Sequence, residues 1–450
     1  VQGRSVARGG CRQLGLAQSM KVLVVGSGGR EHALAWRLRQ DDPAVEILAA
    51  PGNPGIAELG RCIPVAATDV GALVALARET AVDWTLVGPE AALDAGIADA
   101  FRGAHMPIFG PSRAAARLES SKAFAKSVME SAAVPTARAL RASSLAEAER
   151  AIDELGAPVV IKASGLAAGK GVIVCDTTDA ARDAARSMLE GRAFGDAGET
   201  ILVEEFMEGE ELSLFVLTDG ERVVPLPAAQ DHKRLLDGDH GPNTGGMGAY
   251  CPVSIVERSP ELVGDVLDRV ARPTLAAMRA RGEPFAGLLY IGLMLTSTGP
   301  KVVEFNCRFG DPENQAVMPV LGDDGAFSAA LASIAHGGQL DESWKPQSRG
   351  AAVTTILAAA GYPDRPRAGD PIALPRVPGD VILFHAGTKR TPDGTLVTSG
   401  GRVLAVTGVG DSLDDAQRAS QEFAAGVAFD GKQFRTDIGW RELARRAGAA

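Results

Sequence analysis

Short apolar runs alternate with amphipathic stretches through the first hundred folded residues. Lys21–Val25, Val45–Ala49 and Asp83–Val87 are apolar enough to be strands buried on both faces, and Ile108–Pro111 closes the series. Stretches with helical periodicity, Glu31–Arg39 and Asp69–Glu79, lie between them. Continuous apolar strands separated by helices predict a parallel sheet with helices on its faces.

The pattern changes after Ser120. A helix is expected over Lys122–Ser131, strands over Val159–Lys162 and Val172–Cys175 around a glycine loop, and a helix over Asp179–Leu189. Thr200–Phe206 reads as a strand running into acids. Leu212–Thr218 and Arg222–Leu226 flank Asp219-Gly220, and Phe285–Thr296 and Lys301–Asn306 flank Ser297–Pro300. Both are hairpin signatures, so this region is expected to be antiparallel. Beyond a polar linker, Asp341–Arg349, strands are expected at Ala351–Ala358, Val381–His385 and Arg402–Thr407, with a helix at Asp414–Phe429. The expected fold mixes α/β and α+β parts: a Rossmann-like parallel-sheet domain at 20–121, a central domain at 122–340 and a small α+β domain at 341–450. Residues 1–19 hold three arginines and no acid. They are expected to be a disordered leader outside the fold.

Composition narrows the function. A chain of 450 residues has room for about three domains. Its net charge of −10 argues against a nucleic-acid-binding face. Anionic ligands would need local traps of Lys, Arg and backbone N–H groups. The five cysteines form no CxxC pair, which fits a reducing compartment and argues against a disulfide framework or a zinc site. No apolar run reaches the length of a membrane span. A cytoplasmic protein is expected, with no nucleic-acid or membrane partner.

The densest chemistry lies in Val302–Glu313. Glu304, Asn306 and Arg308 alternate, and alternate residues of a strand share a face. A carboxylate and a carboxamide are hard oxygen donors suited to Mg²⁺ bound together with substrate phosphates. A guanidinium one step further could hold a phosphoryl group or a carboxylate. The bland alternative is an edge strand with a solvated polar face.

Two glycine loops add to this. Gly26-Ser27-Gly28-Gly29-Arg30-Glu31-His32 follows a strand and opens a helix, a geometry that offers N–H groups to a phosphate. It departs from a dinucleotide fingerprint at Glu31, where a third glycine belongs, and lacks a ribose-binding acid after the second strand. A phosphate monoester fits better than NAD. The second glycine loop, Ile161–Val172, lies between two strands, with Lys162 on the strand and Lys170 in the loop, as a lid over a triphosphate would. Glu204–Glu211 is either a solvated acidic loop or a hinge that frames an adenine with its backbone. The irregular stretch Gln230–Tyr250 is too long for a plain connection, which favours a functional loop.

Together these segments resemble the ATP-grasp superfamily and, within it, the glycinamide ribonucleotide synthetase family. The resemblance rests on Gly26–His32, Val87–Glu90, Leu118–Phe124, Ile161–Val172, Glu204–Glu211, Gln230–Arg234, Gly241–Tyr250, Glu304–Glu313, Phe384–Lys389, Gly400–Leu404 and Asp437–Arg441. It implies a two-lobed ATP-grasp domain with a lid lobe at about 135–205. It also implies an enzyme of purine biosynthesis: ATP-dependent ligation of glycine to 5-phosphoribosylamine, through glycyl phosphate, by a monomer using ATP and Mg²⁺, with Mn²⁺ as an alternative.

By position, the resemblance assigns Lys122, Lys162, Gly169, Lys170, Gly171, Glu204, Phe206 and Glu211 to ATP. Glu304 and Asn306 go to the metal. Gly28, Gly29, Arg30 and Asn53 go to the phosphoribosylamine phosphate. Arg308, Asp311, Asp231 and Lys233 go to the reacting groups. A biotin-dependent carboxylase is the nearest alternative of the same fold. An NAD-binding oxidoreductase is disfavoured by Glu31, and a non-catalytic nucleotide module by the presence of Glu304, Asn306 and Arg308.

Overall fold

The structure, a computed structural model, describes residues 19–165, 171–190, 199–322 and 325–448. Most of the expected leader, and Gly169 and Lys170 of the second glycine loop, lie outside these.

The N-terminal sheet has five parallel strands in the order Arg61–Cys62, Glu46–Pro51, Lys21–Gly26, Trp84–Val87, Ile108–Phe109. Val22, Leu23, Val24 and Val25 are completely buried, as a central strand covered on both faces requires. The carboxyl ends of the two central strands deliver Gly26–Gly28 and Gly88–Glu90 to one edge. Open parallel sheets bind ligands at that edge.

A second sheet has the order Ala139–Ala142, Ile201–Glu205, Val159–Ala163, Val172–Cys175, all antiparallel. Helices Leu145–Leu155 and Thr178–Leu189 pack on it through Ile152, Ala181 and Met188, giving this lobe a core of its own. A separate core is the structural condition for rigid-body motion of a lobe. The lobe is tied to its neighbour where the Val302 N–H donates to Pro135 O at 2.8 Å and Thr136 Oγ1 donates to Val302 O at 2.7 Å.

The facing lobe is built on the antiparallel sheet Val223–Pro225, Glu210–Thr218, Gly287–Thr296, Gly299–Asn306. One expectation needs correction here. The strand ends at Asn306, so Arg308 is not the third member of a strand face. It follows a turn, and something other than the sheet ladder must hold it.

The C-terminal sheet has the order Gln230–Asp231, Gly248–Cys251, Ala351–Ala358, Arg402–Gly410, Val381–His385. It combines strands from both sides of the polar stretch Asp341–Arg349, which itself contributes Gln347–Ser348 to a pairing with Leu321–Gly322. Asp231 therefore sits on the sheet that also carries Arg402. The last long helix runs Leu413–Gly426, three residues short of the expected end, because Val427 is extended and Ala428 bridges to Ala373. Among the described residues no helix is long and apolar enough to cross a membrane.

Candidate active site

The two central lobes face each other across a cavity of about 540 Å³. Its apolar end is formed by Met129, Val160, Val174, Phe206, Met207 and Met294. Phe206 remains 44% exposed, a large ring left open at the cleft mouth. Flat apolar walls of this kind suit a planar base.

Next along the cleft lie lysines. Lys162 Nζ is 2.7 Å from Glu204 Oε2, and Lys126 Nζ is 3.0 Å from Glu204 Oε1. All three are buried, so one carboxylate compensates two ammonium groups in a low-dielectric site. Lys126 is fixed further by Thr136 Oγ1 at 2.9 Å and Ala137 O at 3.0 Å. Lys162 Nζ also donates to Val303 O across the cleft at 3.2 Å. The Glu204 side chain thus faces its lysines, leaving only its backbone for a base. Lys122 lines the cavity at the first turn of its helix. Burial lowers its pKa against the pull of Glu304.

The opposite wall is acidic. Burial alone would raise Glu304, but Lys233, Lys122 and Lys162 outweigh it and hold the carboxylate ionised below its ordinary range. Asp231 is pushed well above the usual carboxylate range, first by burial and then by Glu313 and Glu304. Glu313 accepts from Tyr290 Oη at 3.0 Å and Ser213 Oγ at 3.3 Å. Lys233 pairs with Glu211 and lies 3.9 Å from Asp231. Among the described residues no three His, Cys, Asp or Glu side chains cluster to hold a metal ion unaided. Glu304 and Asn306 are oxygen donors, and two such donors completed by nucleotide phosphates are the usual way Mg²⁺ is held. The residues present therefore fit that ion.

Arg308 sits in a chain of alternating charge. Its Nη2 is 2.8 Å from Glu119 Oε1, its Nε 3.4 Å from Glu90 Oε2, and Glu90 Oε2 is 3.7 Å from Arg30 Nη1. Burial works against the Glu90 carboxylate, yet Arg308 and Arg30 bring its pKa down to about 2.

A second cavity, about 430 Å³, lies between the N-terminal glycine loop and the C-terminal domain. Ser27, Gly28 and Asn53 line one side, and Gly387, Thr388, Ser399 and Arg402 the other. Asp311 and Arg402 line both cavities, which makes the two spaces neighbours across one ion pair of 2.9 Å. Gln315 Nε2 steadies Asp311 at 2.7 Å.

The four residues expected around one phosphate are divided by the structure. Gly28 and Asn53 line the second cavity, Arg30 lines the first, and Gly29 packs against Gln315. Asn53 spends its side chain internally: Nδ2 donates to Ser27 O at 2.9 Å and His385 O at 2.8 Å, and Oδ1 accepts from the Gly55 and Ile56 amides at 2.9 Å. The Gly28 N–H is taken by Glu31 Oε2. Glu31 lies across Gly26 and Gly88, where an added Cβ would come within 2.6 Å and 2.1 Å of its side chain. Its carboxylate stands where a dinucleotide phosphate would, which is the physical reason the fingerprint fails.

Gly171, Lys122, Lys162, Glu204, Phe206, Glu211, Asp231, Lys233, Glu304, Asn306, Arg308 and Asp311 all line the first cavity. Sequence reasoning missed Glu90, Glu119, Lys126, Glu313, Tyr362 and Arg402, which line it as well. Glu90, Glu119, Glu313 and Arg402 belong to segments that carried the family resemblance, so position was available even though role was not.

Three family models cover most of the chain. "Phosphoribosylglycinamide synthetase, N domain" matches residues 20–119, its "ATP-grasp (A) domain" residues 120–314 and its "C domain" residues 352–441. Relatives include the phosphoribosylamine–glycine ligase of Ralstonia nicotianae, 49% identical over 428 residues, covering 95% of this chain and all of the relative. That of Vibrio parahaemolyticus is 46% identical over 433 residues, 95% of this chain and 99% of the relative. Among solved structures, the Thermotoga maritima phosphoribosylamine–glycine ligase superposes with a TM-score of 0.81 at 34% identity, over 93% of this chain and all of that one. The biotin carboxylase domain of Hydrogenobacter thermophilus 2-oxoglutarate carboxylase, solved with ADP and magnesium, superposes at 0.69 with 18% identity, over 93% and 92%. That second likeness is one of fold.

Proposed function

The chain belongs to the phosphoribosylglycinamide synthetase family, and we propose that its adjoining cavities carry out the ligation of glycine to 5-phosphoribosylamine, with ATP converted to ADP and phosphate. The observation that carries this reading is the sharing of Asp311 and Arg402 by the nucleotide cleft and the second cavity. A reaction that joins an acid activated in one space to an amine delivered from another needs such a common wall.

The apolar end of the first cavity takes the adenine, and Glu211 the ribose. Lys122 and Lys162 compensate the phosphates, with Gly171 on the wall beside them. Glu304 and Asn306 would hold Mg²⁺, which would neutralise charge developing on the phosphates; Mn²⁺ has the same preference for oxygen donors. Glycine lies between Arg308 and the acidic wall. Asp231, once ionised, receives its ammonium group.

A glycine carboxylate oxygen attacks the γ-phosphorus, ADP leaves, and glycyl phosphate forms. The phosphoribosylamine nitrogen then adds to the acyl carbon. The C–O bond to phosphate breaks, and glycinamide ribonucleotide results. Arg402, with Thr388 and Ser399 beside it, holds the phosphoribosyl phosphate in the second cavity, and Gly28 forms the opposite wall, its loop fixed by Asn53 and Arg30. Catalysis here is positioning and electrostatic compensation, without an enzyme nucleophile. The protein is expected to act as a cytoplasmic monomer.

The test is ADP release from ATP and Mg²⁺ with glycine, with and without freshly made phosphoribosylamine. Turnover requiring both substrates is the expected result. ATP binding without turnover on this pair would overturn the assignment of acid and amine.

A further inference from the structure

Tyr362 and Arg402, both from the C-terminal domain, hold the backbone of Gly245 from two sides, one at its N–H and the other at its C=O. The Gly245 N–H donates to Tyr362 Oη at 3.1 Å, and Arg402 Nη1 donates to Gly245 O. The same Nη1 donates to Asp311 O at 2.7 Å, while Nη2 pairs with Asp311 Oδ2 at 2.9 Å. The tyrosine is itself fixed. Its ring lies so close over Gly401 that a Cβ there would sit 2.5 Å from Cδ2, and it packs with Leu235, Met247 and Ala358.

Gly245 belongs to the long irregular stretch that also carries Asp231 and Lys233 into the cleft. Its neighbour Thr244 donates to Lys233 O at 2.8 Å and accepts from the Gly246 N–H at 3.0 Å. Gly246, at a positive φ of 109°, lies against Pro312. Gly245, Tyr362, Arg402 and Asp311 all line the nucleotide cleft, at the place where the second cavity begins. An acyl phosphate formed there faces two nucleophiles, the amine and water.

We propose that the Tyr362–Gly245–Arg402 grip is a water seal at the junction of the two cavities, with Tyr362 a positioning residue that reserves the acyl phosphate for the amine. This rests on the ligase reading. Loosening the grip lets water add to the acyl carbon; the C–O bond to phosphate breaks, and glycine and phosphate return without product. One ATP is then consumed without ligation.

The experiment measures ADP and glycinamide ribonucleotide together, for the wild type, Tyr362→Phe and Arg402→Lys. Tyr362→Phe removes one hydroxyl and leaves the ring on Gly401. The wild type is expected to give one ADP per product, and Tyr362→Phe at least two, with ¹⁸O from labelled water entering recovered glycine. Arg402→Lys, which loses the forked hold, is expected to raise the ratio as well. A merely structural weakening lowers both rates and leaves the ratio at one, and that outcome overturns the proposal. A wild type that makes no product fails the ligase reading instead, so the two failures are distinguishable.

Discussion

Arg308 Nη2 lies 2.8 Å from Glu119 Oε1, and the other oxygen of the same carboxylate accepts the Cys307 N–H at 2.7 Å. Glu119 therefore fixes both the guanidinium and the backbone beside it. It does for Arg308 what the sheet ladder does for Glu304 and Asn306. Glu119→Gln keeps an acceptor for the amide but loses the ion pair. Removing one partner of a buried pair costs about 3–5 kcal/mol, and the remaining contact with Glu90 reduces this to about 1–3 kcal/mol. The expected outcome is a lower Tm and a kcat reduced about tenfold or more, read by calorimetry and steady-state kinetics. A variant with wild-type kcat would remove Glu119 from the mechanism.

Glu204 and its two lysines give an ordering. Glu204→Gln leaves two buried ammonium groups without a counter-charge, whereas Lys126→Met leaves Glu204 paired with Lys162 at 2.7 Å. Glu204→Gln should cost about 2–4 kcal/mol and raise the KM for ATP, while Lys126→Met should cost less and change that KM little. Denaturant unfolding with ATP titration checks the order. The reverse order would mean that Lys126 is the residue aimed at the nucleotide.

Metal dependence should localise to the acidic wall. Glu304→Ala is expected to lower kcat by about a thousandfold or more, on the scale of losing a charge-stabilising group in the transition state. Asn306→Ala should lower it less. A chelator should stop the wild type, and added Mg²⁺ should restore it. Metal titration of Glu304→Ala that returned full activity would assign the ion elsewhere.

A pH effect on stability follows from the seam between the first and last domains. The His385 N–H donates to His32 Nδ1 at 2.8 Å, so His32 must stay neutral there. Burial, followed by His385, lowers its pKa to about 3, and burial lowers that of His385 to about 4. A histidine whose folded pKa lies below its unfolded value contributes stability that is present above about pH 6.5 and lost as pH falls below it. Each ring should contribute a slope approaching about 1.4 kcal/mol per pH unit between pH 6 and 5, above the ordinary carboxylate range. Tm measured over that interval should fall, and the fall should be shallower in His32→Gln. Equal slopes would show that the ring does not titrate on unfolding.

Much of the fold was legible because the N-terminal strands are apolar on both faces and the later hairpins carry their turns in sequence. The helix Leu145–Leu155 was missed although Ser144 caps it and Glu147 reaches back to the Ser143 amide, a start signal present in the chain. Where local order sets geometry, as along the strand that carries Glu304 and Asn306, the sequence pattern places both residues on one wall of the cleft. The site was not legible where partners meet only through folding. Glu119 and Arg308 are 189 positions apart, and Gly245 and Arg402 are 157 apart, so no local pattern joins them. Of Gly28, Gly29, Arg30 and Asn53, expected around one phosphate, Gly28 and Asn53 line the second cavity together. The helix turns Arg30 into the nucleotide cleft instead.

The first glycine loop carries its own anion. With Glu31 bound to the Gly28 amide, the turn is self-liganded: an internal carboxylate plays the part that a cofactor phosphate plays in other parallel-sheet proteins. A dinucleotide phosphate would have to compete with this internal carboxylate for the Gly28 amide. The bare surface above Gly26 and Gly88 is the mould of that side chain and not a vacancy for a guest. A shorter residue at position 31 would free the Gly28 amide and open the space over Gly26 and Gly88, with the rest of the sheet untouched.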